Sequence, residues 1–340
     1  MPNRTLAWLL FAGIVLTGSR SPAADRPDVG PRPIPHRVAA AWGEKVGPSG
    51  WISITGEDLS FREGGDGEVG SLPGFRVSTF DAEVISKMPP PDQPFGLYFS
   101  GDGQGLTDAG LKSLASMKGL TALGLNLTAV TDAGIRELAA CKELRWLDLT
   151  YTKITAKAAA DLAELKQLRY LSVGSTVIGD DELKPLAKLE HLHTLHLRAT
   201  RVTDAGLATL AGMRQLRDLQ LANTKITDDG LKRLAPLNDL RVLCLNNTPV
   251  TDAGAKELSP LKKLAKLGLF HTKISDAGLK ELASLTEIEE LDLGLNAITD
   301  EGVKGLVPLK KLKKLNLRMT RVNDHEAIRK LLPDVKLQDD

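Results

Sequence analysis

The chain has 340 residues, enough for two ordinary domains or one extended array, and 42% of them are hydrophobic. Its 44 Lys+Arg against 43 Asp+Glu leave a net charge of +1, too balanced for a dedicated nucleic-acid binder. Two cysteines exclude a disulfide scaffold, and no paired Cys or His stands at zinc spacing. With only 7 Phe, 4 Trp and 3 Tyr, the aliphatic residues must do most of the packing.

The N-terminus reads as an export signal. Arg4 precedes an apolar run from Leu6 to Leu16, too short to span a bilayer, and Ser21-Pro22-Ala23-Ala24 supplies small residues for cleavage. Residues 1–24 are therefore expected to be a signal peptide, and their loss removes Arg4 and Arg20. No Cys precedes Cys141, which excludes a lipid-anchoring cysteine at the cut. No integral membrane span is expected after cleavage, and the product is expected in the periplasm or outside the cell.

Residues 25–36 carry four prolines, which fix φ and remove donors, so they read as an extended linker. Residues 37–93 differ in composition, with Trp42, Trp51, Phe61, Phe75 and Phe80. Val38–Val46 is expected as a short helix, Trp51–Thr55 as a strand and Gly64–Gly74 as a loop. The whole is expected to be a small α+β cap, because a stacked array otherwise exposes the apolar end of its first unit.

From Leu120 to Val335 the chain repeats every 24 residues in nine units, preceded by an irregular unit over 94–119. Counting slots from Leu120, the unit is LxxLxLxxTx[VI]TDxGLxxLAxLxx. Leu in slots 4 and 6 has the period of a strand, whose inner side chains face a core while slots 3, 5 and 7 lie on the other face. Leu in slots 16 and 19 has helical spacing. Between them stand Thr131-Asp132, Thr203-Asp204, Thr227-Asp228, Thr251-Asp252, Ser275-Asp276 and Thr299-Asp300. A Ser or Thr there caps the helix and an Asp in its first turn complements the helix dipole, which accounts for the carboxylates without a calcium ladder. Two units bend the pattern: Ala156 replaces the Asp, and the last unit gains a residue after Asp324, leading to a closing strand within Leu332–Leu337.

This unit resembles the leucine-rich repeat family over 94–337. Its TDxGLxxLA half is most similar to the ribonuclease-inhibitor-like and F-box-type arrays and to many bacterial exported proteins. The resemblance implies a right-handed α/β solenoid, a horseshoe of ten parallel strands on the concave face and short helices on the convex one. At roughly 4.8 Å per strand the sheet would run about 45 Å. The family usually has Asn or Cys in slot 9; here it is Thr, except Asn296. A Thr hydroxyl can serve the same turn with fewer hydrogen bonds. The F-box role does not transfer, because no such helical module precedes the repeats.

On the expected concave face, slots 3, 5 and 7 vary while the core slots scarcely change. Trp146 and Tyr170 share slot 3 on neighbouring strands, with Asp148, His196 and Arg198 one or two strands away. Exposed aromatic rings beside an Arg have the composition of a binding hot spot, and these five residues are the candidate partner-binding site. The other chemistry-bearing groups are expected to be inert. His191, His193 and His196 do not converge as zinc ligands do. Cys244 is expected as an exposed concave thiol without a base and acid in line, and Cys141 as core; lying five units apart, they cannot bridge. Gly101–Gly105 lacks the Lys and Ser/Thr of a phosphate loop and reads as an insertion.

No nucleophile, base and orienting group come together, so the protein is expected to be non-enzymatic, with no catalytic residue, cofactor or metal. The expected function is an exported module, a monomer, that binds a protein or peptide on its concave face. The alternative is a binder of carbohydrate or cell-envelope polymer that stacks sugars on the same rings.

Overall fold

The computed structural model describes residues 32–55, 58–64, 71–78, 80–99 and 106–339. The expected signal peptide, most of the linker and the Gly101–Gly105 insertion lie outside them.

Helix α1 (His36–Lys45) opens the described chain. Strands β1 (Ser49–Thr55) and β2 (Asp58–Glu63) form an antiparallel hairpin, and β1 also pairs antiparallel with β3 (Leu72–Val77), which begins inside the expected Gly-rich loop. Helix α2 (Ala82–Ser86) follows, and then β4 (Phe95–Phe99), parallel to β3. The cap is thus not a separate layer. It extends the repeat sheet by three strands and closes the core at that end.

Trp42 makes the closure: it is fully buried, stacks on Phe75 at 4.3 Å between ring centroids and donates its indole N–H to the Pro89 carbonyl at 2.9 Å. Phe95, the first residue of β4, meets both rings edge-on. Aromatic pairs in these geometries add about 0.5–1.5 kcal/mol beyond the area they bury.

Beyond β4 each repeat gives one short strand and one short helix. The strands are β5 (Leu120–Gly124), β6 (Trp146–Asp148), β7 (Tyr170–Ser172), β8 (Thr194–His196), β9 (Asp218–Gln220), β10 (Val242–Cys244), β11 (Lys266–Gly268), β12 (Glu290–Asp292) and β13 (Lys314–Asn316). They pair in chain order and in parallel, slot on slot, and β14 (Lys336–Gln338) ends the sheet where the closing strand is expected. Counting from β4 this is the ten-strand array with its closing strand. The sheet is open, with the helices on one side of it. One apolar core runs from Val38 to Leu332, built on the Leu of slots 4, 6, 16 and 19.

The turns hold the repeats in register. Each slot-9 Thr donates its hydroxyl to the carbonyl three residues back, as Thr128 does to Leu125 at 2.7 Å and Thr224 to Leu221 at 2.6 Å. Asn296 does more, reaching the carbonyls of Leu293 and, one repeat earlier, Leu269, while its Oδ1 accepts from the Ile274 N–H. The residue before, slot 8, is left-handed in all nine units, with φ between 51° and 62°, although no unit has Gly there.

Five of the six expected caps form, Thr299 making no side-chain cap bond: the hydroxyls of Thr131, Thr203, Thr227, Thr251 and Ser275 accept from the N–H two residues on. The Asp that follows each of them does more than complement a dipole. Its carboxylate crosses to the next repeat and accepts that repeat's slot-12 N–H and hydroxyl, as Asp204 does from Thr227 at 2.8 and 2.6 Å. The slot-15 Gly makes room for this crossing, since a Cβ on Gly134 would stand 2.5 Å from Asp108 Oδ1. Where the slot holds Ala158, the helix begins only at that residue.

Candidate binding surface

The face of the sheet turned away from the helices is where the candidate residues fall, and much of it is not open. Slots 4 and 6 pin the strand into the core, so slots 3, 5 and 7 project to the other side. With neighbouring strands in register, each slot-5 side chain is walled in by its equivalents and by slots 3 and 7. Asp148 and Tyr170 are 1% exposed, His196 3% and Cys244 0%. The expectation of an exposed Cys244 and of an open Tyr170–Asp148–His196 patch is corrected accordingly. Trp146 and Arg198 remain half-buried.

Many of the polar groups in the buried slots pair with one another. Asp148 Oδ1 accepts from the N–H and hydroxyl of Thr150, and the Thr150 hydroxyl meets Ser172 Oγ at 2.7 Å. The Tyr170 hydroxyl lies 3.3 Å from His196 Nδ1, the rings standing edge-to-face at 5.0 Å, and His196 Nε2 lies 3.8 Å from Asp218 Oδ1. Gln220 donates to the same Asp218 oxygen at 2.7 Å. Farther along, Asn316 donates to Asp292 at 2.7 Å, and Glu290 Oε1 is held between Lys266 at 3.0 Å and Lys314 at 3.3 Å. Burial pulls the Lys266 ammonium below the ordinary lysine value, opposed by its hydrogen bond to Glu290.

The three histidines go to different surroundings: His191 is exposed, His193 Nδ1 lies 3.1 Å from the Gln215 carbonyl, and His196 belongs to the buried network. Among the described residues no group of three or more His, Cys, Asp or Glu could hold a metal ion, and no helix is long and apolar enough to cross a membrane. Cys141 is buried, and its thiol is pushed up to about 11 by desolvation.

What Trp146 does meet was not expected. It packs with half-buried Phe61, Leu72 and Tyr98 around Ile52 and Ala122, and Phe61 lies over Tyr98 with ring centroids 6.5 Å apart and planes 16° off parallel. Tyr98 sits opposite Gly124 in β5, which makes it a slot-5 residue of the irregular unit. The aromatic cluster therefore straddles the cap and the first repeats instead of continuing along slot 3. Both neighbours are visible as aromatics in the sequence, but Phe61 lies in the aperiodic cap and a register shift between Phe95 and Gly96 hides the slot of Tyr98.

A family model for a leucine-rich repeat region matches residues 125–334. The chain belongs to the leucine-rich repeat family. Among solved structures, it is similar to an internalin (inlF) from Listeria monocytogenes, with 24% identity, a TM-score of 0.58, 77% of this chain covered and 71% of that one. It is also similar to TLR13 in a TLR13–ssRNA13 complex, with 19% identity, a TM-score of 0.52, 78% of this chain covered and 40% of the other. These likenesses establish the shared solenoid fold. No curated protein matches the sequence.

Proposed function

We propose that the protein is an exported, non-enzymatic module that binds a protein or peptide partner on the concave face of its leucine-rich repeats. The observation that carries the reading is the gathering of three half-buried aromatic side chains, Phe61, Tyr98 and Trp146, at the N-terminal end of that face. Half-buried rings are held in place by packing yet keep an apolar edge to offer, the usual makeup of an interface anchor. Arg198, half-buried two strands beyond Trp146 on the same face, adds a cation. Asp148, Tyr170 and His196 are buried beside Trp146 on the same and neighbouring strands in a hydrogen-bonded network, which holds this part of the surface in place and lowers the ordering cost of binding. Polymer stacking gains less support: Tyr170, one of the two rings on which it rested, is buried.

Peptides selected for binding to the purified protein test the reading. On Tyr98→Ala/Trp146→Ala, checked for native circular dichroism, they are expected to lose about 30-fold in affinity, the equivalent of about 2 kcal/mol. Equal affinity for both proteins would remove the concave face as the site.

A further inference from the structure

The lateral rim where the strands leave the sheet has a composition unlike the rest of the molecule. Slots 8 and 10 flank the buried slot-9 Thr and both face outward. Across nine repeats neither slot, nor slot 7 beside them, holds a single Asp or Glu. Slot 10 holds instead Lys153, Arg201, Lys225, Lys273 and Arg321, and Arg318 of slot 7 stands at the border with the concave face; all six are exposed. None of these six forms an ion pair with a described residue. Elsewhere several exposed lysines find acids, among them Lys184 with Asp181, Lys232 with Asp229, Lys311 with Glu287 and Lys313 with Glu289. A chain with nearly equal numbers of each sign has thus kept one edge free of acids.

The same rim carries a second anomaly. Five large hydrophobic side chains are exposed among the described residues, and four lie here: Leu127 at 53%, Tyr151 at 60%, Val177 at 42% and Met319 at 75%. Leu127, Tyr151 and Met319 hold them on a left-handed backbone, with φ of 62°, 58° and 56°, a conformation that Asn223 and Asn247 meet at lower cost in the same slot. Single exposed hydrophobics are ordinary, but their confinement to one acid-free edge is not.

We propose that this rim is a second binding surface, separate from the concave face, and that it takes an acidic protein segment carrying apolar side chains between its carboxylates. The cations ask for a negative partner and the exposed Leu, Tyr, Val and Met side chains ask for apolar contact. A bare polyanion would answer only the first. A second copy of this chain is a poor source of the carboxylates, because its helix-starting Asp residues are engaged between repeats and many of its surface acids pair with lysines. From Lys153 to Arg321 the row spans seven units, about 34 Å at roughly 4.8 Å each, the reach of about ten extended residues.

Fluorescence anisotropy with a labelled peptide of about twelve residues, repeating Glu-Glu-Leu, tests this on the purified protein, with poly-Glu of equal length and inorganic polyphosphate as the other probes. The Glu-Glu-Leu peptide is expected to bind more tightly than poly-Glu, and to weaken as salt rises from about 50 to 200 mM. Arg201→Ser/Lys225→Ser/Lys273→Ser is expected to lose about tenfold in affinity, while Tyr98→Ala/Trp146→Ala keeps it. Lys225→Glu serves as a second variant that alters one exposed side chain only and is expected to weaken binding in the same direction. Peptide binding that is absent, indifferent to the rim variants, or outdone by polyphosphate would overturn the proposal. Loss through the concave variant alone would assign the peptide to the other face.

Discussion

Asp204, at the start of one repeat's helix, accepts both the backbone N–H and the hydroxyl of Thr227, the residue that caps the next repeat's helix. One carboxylate thereby joins two units through groups that lie partly buried at their junction. Asp204→Ala removes both acceptors and leaves the Thr227 N–H without its partner, a loss of about 1–3 kcal/mol. A urea titration is expected to show a lower midpoint for this variant, with Asp204→Asn falling between it and wild type.

The chain carries out a natural version of that deletion. Ala156 stands where the carboxylate would be, and the next repeat has Gly179 in place of the Thr it would have held; the Gly179 N–H turns to Glu182 Oε2 at 2.8 Å. Glu182→Ala should therefore destabilise by about 1 kcal/mol, as loss of a helix-start hydrogen bond does, and thermal unfolding measures it. Restoring the ladder with Ala156→Asp/Gly179→Thr should recover stability in the Glu182→Ala background.

The slot-15 glycine is tied to the same carboxylate. A Cβ on Gly230 would run into Asp204 Oδ1, so Gly230→Ala is expected to destabilise despite the better helix propensity of Ala. In a double-mutant cycle with Asp204→Ala the two costs should not add, because deleting the carboxylate also deletes the obstruction. Additive costs would show that the glycine serves another purpose.

Lys266 has a depressed value in the folded state because burial disfavours its charge. Between that depressed value and 10.5 the unfolded chain holds the proton that the folded chain has lost, so protonation works against the fold. Stability from this group therefore rises with pH across the window between the depressed value and the ordinary 10.5. Lys266→Met is expected to flatten that rise. Glu290→Gln should be the more damaging change, by about 3–5 kcal/mol, because it leaves a buried ammonium without its carboxylate. Denaturant titrations at several pH values separate the two.

Both thiols are buried, and Cys141 is pushed up to about 11. A thiol reagent at pH 8 is expected to label neither cysteine in the native protein and both in urea. Rapid native labelling of Cys244 would contradict its place in the buried slot 5.

The solenoid was legible because its signal repeats. Leu in slots 4 and 6, Val or Ile in slot 11 and the Thr-Asp pair recur every 24 residues, so each unit's alternation confirms its neighbour's. The burial of Tyr170, His196 and Cys244 was not legible by the same means. Alternation assigns a side chain to a face of its own strand, whereas burial on that face depends on what neighbouring strands place around it. Phe61 and Tyr98 escaped for a different reason: they lie in the aperiodic cap and in the one unit whose register slips, where counting slots gives no purchase. The Asp204–Thr227 link was half visible, as a cap and a dipole partner. The crossing between repeats requires the stacking distance, which only the structure supplies.

The most direct test of the concave-face account is a hydrogen-exchange footprint of a selected peptide bound to the protein. Protection is expected in β2, β4 and β6, the strands that carry Phe61, Tyr98 and Trp146. Protection confined to the helices, with those strands exchanging as in the free protein, would contradict it.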